Sequence, residues 1–179
     1  MSERDSPSPA SHEHHHRQAA PRSVAAVVIT VSDTRSLETD TGGALVAELL
    51  EAAGHEIAAR EIVRDEPAEI EAALERALEL AGTRAVIFTG GTGVAPRDVT
   101  PDTLEPRLDR IVPGFGELFR QLSYQEIGSA ALLSRALAGL ARGRVVIAIP
   151  GSRGAVRLAM EKLILPEIGH LAGEAVKTR

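Results

Sequence analysis

Apolar residues come in two alternating forms along this chain, short unbroken runs and spaced stripes. The runs "VAAVVITV" (24–31), "RAVIF" (84–88) and "RVVIAIP" (144–150) are β-branched and continuous, as strands are when neither face meets water. "EIAAREIV" (56–63) reads as a further, less apolar strand. Between them lie helical stripes: Leu45, Leu49, Leu50 and Ala53 share one face over 41–53, and Ile70, Leu74, Leu78 and Ala81 share one face over 67–81. Pro67 suits a first helical turn, and Gly54 and Gly82 suit helix ends. Strand–helix alternation at this spacing predicts right-handed crossovers and a mainly parallel sheet between helical layers. No internal repeat interrupts it.

Before Val24 the pattern is absent. Residues 1–22, "MSERDSPSPASHEHHHRQAAPR", are polar and aperiodic, too poor in apolar surface to offset chain entropy, and predict a disordered tail. Its His12, His14, His15 and His16 could catch a transition metal, although a flexible cluster has no fixed geometry. Residues 23–179 are then one domain around one core, as the total of 179 residues allows. The chain is 44% apolar but only 2% aromatic, so the core must be aliphatic. A formal charge of −5 without a Lys/Arg-rich stretch argues against a nucleic-acid surface. The absence of cysteine excludes disulfides, thiolate nucleophiles and Cys-ligated metals. No apolar run approaches a membrane span and no signal-peptide core is present, so a cytoplasmic protein without a membrane partner is expected.

In an open α/β sheet, ligands bind beyond the carboxyl ends of the strands, where loops converge and helix N-termini present free N–H groups. The four predicted strands end in "SDTR" (32–35), "RDE" (64–66), "TGGTG" (89–93) and "PGS" (150–152). One site assembled from all four edges follows, drawing on Ser32, Asp33, Pro150, Gly151 and Ser152 as well as the glycine loop. Thr89, Gly90, Gly91, Thr92 and Gly93 let backbone amides approach a phosphate or other anion without obstruction from a Cβ; the same glycines would also serve a tight turn. No Gly-Lys-Ser/Thr follows, so this is no Walker A loop, and Pro96 occupies the third glycine position of a dinucleotide fingerprint counted from Gly91. "PGSRG" (150–154) has the wrong spacing for a nucleophilic serine elbow, and His55 and His170 sit in ordinary helix-end contexts. Asp33, Asp65 and Asp98 each follow a strand. Carboxylates facing an anion cradle imply Mg²⁺ bridging them to a nucleotide, whereas any one alone could be a solvated turn residue. Arg97, Arg135 and Arg153 could neutralise remaining ligand charge, or could be solvated surface arginines.

At "TGGTGVAPRDVTPD" (89–102) the chain resembles the molybdenum cofactor biosynthesis family that contains the bacterial MogA and MoaB proteins and the G domain of gephyrin. The resemblance continues through "VSDTR" (31–35), "PGFGELFRQLSYQEIG" (113–128), "LLSRALAG" (132–139), with Ser134 and Arg135, and "AIPGS" (148–152). The "SYQEIG" and "LSRA" segments place it nearer the MoaB side. The resemblance implies a three-layer α/β/α fold, trimers or hexamers, and adenylylation of molybdopterin with ATP as co-substrate and Mg²⁺ as cofactor. The product would then pass to the metal-inserting enzyme of the pathway. The family's two essential aspartates fall on Asp65 and Asp98, which implies catalytic and metal-holding roles for both. Some members on the MoaB side lack the acidic pair; this chain keeps it, with Arg64 where MogA-like members often carry Pro.

Three readings of function remain at this level: a molybdopterin adenylyltransferase, a molybdopterin-binding or scaffold protein of the same pathway with negligible turnover, and a nucleotide-binding protein outside it. The retained aspartates favour the first. Phe115, Phe119 and Tyr124 are three of the four aromatic residues, set beside Leu118, Leu122 and Ile127. So local a concentration needs burial, either inside the monomer or against a neighbour in a homo-oligomer.

Overall fold

The computed structural model describes residues 21–177; the expected tail, with its histidines, lies outside the described residues through position 20. Among the described residues six strands, β1 (Ala25–Val31), β2 (Glu56–Val63), β3 (Ala85–Thr89), β4 (Arg110–Ile111), β5 (Leu137–Ala141) and β6 (Arg144–Ile149), form one sheet in the order β2-β1-β3-β6-β5-β4. The four predicted strands are β1, β2, β3 and β6, and they pair in parallel. The sheet also has two strands beyond the predicted four, β4 and β5, which add an antiparallel edge.

Alternation within each strand feeds two cores. Ala26 and Val28 of β1 face one side with Ile87, Ile147 and Ile149, while Val27, Ile29 and Val31 face the other with Val86, Phe88 and Val146. The first core is closed by helices α1 (Thr41–Ala52) and α4 (Pro113–Ile127), and by α5 (Arg153–Ala159) and α6 (Leu165–Ala175). The second is closed by α2 (Pro67–Glu79) and α3 (Thr100–Leu104). This is the expected three-layer α/β arrangement.

The helical stripes need small corrections. Leu45, Val46 and Leu50 are the buried side chains of α1, and Ala53, at its C-cap, is exposed. Helix α2 ends at Glu79, so Ala81 is exposed and Ala73 and Ala77 join Ile70, Leu74 and Leu78 in the core. Both expected glycine ends adopt positive φ, Gly54 at 85° and Gly82 at 84°, which removes the Cβ penalty of ending a helix this way. A π turn over Met160–Ile164 joins α5 to α6, just before Pro166, whose ring would otherwise clash with the preceding helical turn.

The aromatic segment divides. It forms α4, with Phe115 and Phe119 buried in the first core and Tyr124 63% exposed. Ile127 and Leu118 of the same helix are also exposed. Among the described residues no helix is long and apolar enough to cross a membrane.

Candidate functional site

Strands β1, β2, β3 and β6 run parallel, so their carboxyl ends share one edge of the sheet and bring the four predicted loops together. Gly90 continues from β3, its amide donating to Ile149 O at 3.0 Å. Its φ is 109°, and a Cβ there would lie 2.3 Å from Val31 O. Only glycine allows the loop to pass so close to β1.

The carbonyls of the glycine loop are all held from behind. Thr100 Oγ1 donates to Gly90 O at 3.0 Å and the Thr100 amide to Gly91 O at 3.1 Å. The Arg135 amide donates to Thr92 O at 3.0 Å and its Nε to Gly93 O at 2.7 Å. By contrast, the amides of Gly91, Thr92 and Gly93 have no hydrogen-bond acceptor among the described residues. Carbonyls tied back and amides left free are the polarity an anion cradle requires.

Both predicted aspartates touch this loop. A Cβ at Gly91 would meet Asp65 Oδ1 at 2.7 Å, and one at Gly93 would meet Asp98 Oδ2 at 2.6 Å. Asp98 also accepts the Ala95 amide at 2.9 Å, closing the turn it stands on. Asp65 is half-buried, and its carboxyl is pushed above the ordinary carboxylate range, first by loss of hydration and then by the charges of Asp33 and Asp98. Arg97 offsets part of this. Asp33 is shifted the opposite way, chiefly by its hydrogen bond from Arg97.

The residues fit a divalent cation of the kind that completes its shell with phosphate. Mg²⁺ is typically held by one or two carboxylates plus phosphate oxygens and water. Asp65 and Asp98 supply two carboxylates beside amides that have no acceptor among the described residues. Among the described residues no group of three or more His, Asp or Glu is arranged to hold a metal without such help.

Other predicted residues line two clefts on either side of the loop. Ser32, Thr89, Gly90 and Gly151 line a polar cleft of about 110 Å³ at the N-terminus of α1. Thr92, Gly93, Ser134, Pro150 and Ser152 line a more apolar cleft of about 200 Å³ floored by Phe119 and Ala131. Ser152 also caps α5, accepting the Ala155 amide at 3.4 Å. Two of the arginines are already paired within the protein. Arg135 ties the glycine loop, donates to Asp98 O, and its Nη1 donates to both carboxylate oxygens of Asp102 at 2.8 Å. Arg97 bridges Asp33 and Glu66. Arg153 is exposed at the start of α5 without an ion pair among the described residues. A larger groove, about 570 Å³, opens beyond Arg135 between α3 and α4, and neither Asp65 nor Asp98 lines it.

Sequence reasoning missed Asp40, a buried residue that seats this edge. Its carboxylate accepts Thr30 Oγ1 at 2.7 Å, the Gly43 amide at 2.9 Å and Arg60 Nη2 at 2.8 Å. Burial opposes its ionisation, but the hydrogen bonds from Arg60, Thr30 and Gly43 prevail and hold its carboxyl below the ordinary range. The signal was present in "DTGG" (40–43), an Asp at the N-cap of a helix whose first turn is glycine. Those glycines let α1 approach Gly151 O, Thr30 and Asp40, with which a Cβ at Gly42 or Gly43 would collide.

Comparison with known proteins places the chain by family and fold. Residues 27–170 match the sequence profile of a family described as a probable molybdopterin binding domain. Molybdenum cofactor biosynthesis protein B of Bacillus subtilis is 52% identical over 170 residues, spanning 92% of this chain and 97% of that protein. A crystal structure of a molybdenum cofactor biosynthesis protein B superposes with a TM-score of 0.84 at 48% identity, covering 87% of this chain and 98% of the other. The tungsten cofactor synthesizing protein MoaB from Pyrococcus furiosus gives a TM-score of 0.80 at 37% identity, covering 88% and 100%.

Asp40 and Asp65 make opposite predictions in urea unfolding without divalent cation. Asp40 has a depressed carboxyl, so its stabilisation is present above the unfolded value of about 4 and is lost as pH falls through the folded one. Asp40→Asn is expected to lose about 2 kcal/mol at pH 7, since Arg60 loses its charge partner while keeping some water contact, and the deficit narrows below about pH 4. Asp65 has a raised carboxyl, so its ionisation weakens the fold as pH rises through the folded value. Asp65→Asn is therefore expected to match or exceed the parent at pH 7. A loss of stability in Asp65→Asn comparable to that in Asp40→Asn would show Asp65 to be structural.

Proposed function

The chain belongs to the MoaB/MogA family of molybdenum cofactor biosynthesis proteins, on the MoaB side, and from that premise we propose that it adenylylates molybdopterin with Mg-ATP, releasing pyrophosphate. The observation that supports this most is the glycine loop, whose three amides without an acceptor among the described residues lie beside two aspartates. An oxygen of the pterin's terminal phosphate attacks the α-phosphorus of ATP. A P–O bond forms there as the bond to the β-phosphate breaks, and the electron pair leaves with pyrophosphate.

Such a transfer asks little covalent chemistry of the protein and much alignment. The amides of Gly91, Thr92 and Gly93 would grip phosphate oxygens through donors that need no reorganisation. Asp65 and Asp98 would hold the cation, which supplies charge neutralisation between carboxylates and phosphates. Asp65 would also orient the reacting groups. The apolar cleft at Phe119 suits a flat ring system, and the polar cleft at Ser32 and Thr89 suits a hydroxylated or phosphorylated end.

Assembly belongs to the same reading. Leu118, Tyr124, Ile127, Leu132 and Leu133 are 50–79% exposed along α4 and the turn after it, a contiguous stretch of sequence that a homotrimer or a hexamer would cover. Sedimentation equilibrium at micromolar concentration is expected to give a trimer or hexamer that survives added salt, because apolar contacts are not screened. A monomer at both ionic strengths would remove assembly from the proposal.

The decisive assay mixes purified protein, molybdopterin and Mg-ATP and scores adenylylated pterin. Asp98→Asn keeps an oxygen to accept the Ala95 amide, so it removes charge rather than loop structure. It and Asp65→Asn are each expected to lower product formation at least about 100-fold. No product from the folded parent would favour a pterin-binding or scaffold role. Near-parental product from both variants would remove the aspartates from the mechanism.

A further inference from the structure

Arg97 stands where the glycine loop turns back toward the sheet, and its guanidinium joins two strand ends. Nη1 donates to Glu66 Oε1 at 2.9 Å and Nη2 donates to Asp33. Asp33 follows β1 and Glu66 follows β2. Asp65 lies between them, its amide donating to Asp33 Oδ1 at 3.3 Å and its carboxylate set against Gly91. The arginine thus reaches from the loop carrying the free amides to the two carboxylates that flank Asp65.

All three partners are open to solvent, Arg97 at 58%, Asp33 at 39% and Glu66 at 50% of the side chain. Pairs this exposed hold weakly and exchange readily. A phosphate group offers the same guanidinium a bidentate partner of higher charge. Among the described residues Arg97 is the cation ion-paired with both carboxylates, while Arg64 acts on Asp33 only at a distance, so a ligand that takes Arg97 takes it from both at once.

We propose that Arg97, Asp33 and Glu66 form a clasp that a polyphosphate ligand opens: Asp33 and Glu66 do not bind the ligand but compete with it for Arg97, and so act as specificity-determining residues of this edge. The proposal rests on the reading of the glycine loop as a phosphate cradle. It reassigns Asp33, expected from sequence to contact substrate, to a role against the ligand. Displacement of Arg97 leaves Asp33, Glu66, Asp65 and Asp98 with less positive charge among them. A ligand must bring enough charge, with its cation, to outweigh that change. Diphosphate and triphosphate groups do so better than a monophosphate.

The test is binding of inorganic pyrophosphate at saturating Mg²⁺, followed by calorimetry on the full chain, its Asp33→Asn and Arg97→Ala variants and the double variant. Both positions are exposed, where substitution leaves the fold intact. Asp33→Asn is expected to bind about threefold more tightly, and Arg97→Ala at least about tenfold more weakly. Adding Asp33→Asn to Arg97→Ala is expected to change nothing further, because the competition has lost its object. Equal tightening in both backgrounds would reduce Asp33 to general repulsion and overturn the clasp, as would an Arg97→Ala variant that binds like the parent, or a parent that binds no pyrophosphate. The expected pattern alongside a failed adenylylation assay would keep the clasp and reject only the reaction.

Discussion

A buried carboxylate is stable only if it is well hydrogen-bonded, and the edge at the carboxyl ends of the parallel strands is built around one that is. Asp40 is 4% exposed and answers to a strand through Thr30, a helix through Gly43 and a neighbouring strand through Arg60. Those three bonds fix α1 against β1 and β2. With the helix so placed, Gly42 packs on Gly151 O and Gly151 on Gly90, and the glycines converge because no Cβ keeps them apart. The polar cleft and the position of the loop both follow from that close approach.

The loop itself is wired one way. Thr100 and Arg135 hold its carbonyls, and the amides of Gly91, Thr92 and Gly93 have no acceptor among the described residues. Asp65 and Asp98 fill the space that side chains at Gly91 and Gly93 would need. Anion donors and cation acceptors are thereby held side by side, an arrangement that is poor for stability and useful for a phosphate carried with a metal ion. The surrounding arginines serve this arrangement indirectly. Arg135 is anchored by Asp102 and Arg97 is shared between Asp33 and Glu66, so both are held in ion pairs before any ligand arrives.

The parallel half of the fold was legible because its strands are buried on both faces and spell unbroken β-branched runs. The antiparallel edge was not. β5 reads "LAGLA", residues with little strand preference, and it is held in the sheet by pairing with β6 and by Gly139, where a Cβ would meet Arg110 O at 2.5 Å. The turn joining it to β6 is Arg142-Gly143, both at positive φ as a tight hairpin requires, and an arginine in the first position gave no sign of it. Of the site, the glycines and aspartates were legible from their position after strands. Asp40 was hidden because a helix cap and a buried ion pair look alike in sequence until Arg60, twenty positions on, is seen to reach it. The arginine roles were hidden for the same reason, since partners decide them.

Paramagnetic broadening of backbone amide signals, with Mn²⁺ in place of Mg²⁺ and ATP added, reads the location of the cation directly. If the glycine loop and the two aspartates form the phosphate and cation site, the signals of Gly91, Gly93 and Asp65 broaden when both Mn²⁺ and ATP are present, while that of Ile168 in α6 stays sharp. Broadening centred on the large groove between α3 and α4, or none at the loop with nucleotide bound, would contradict it.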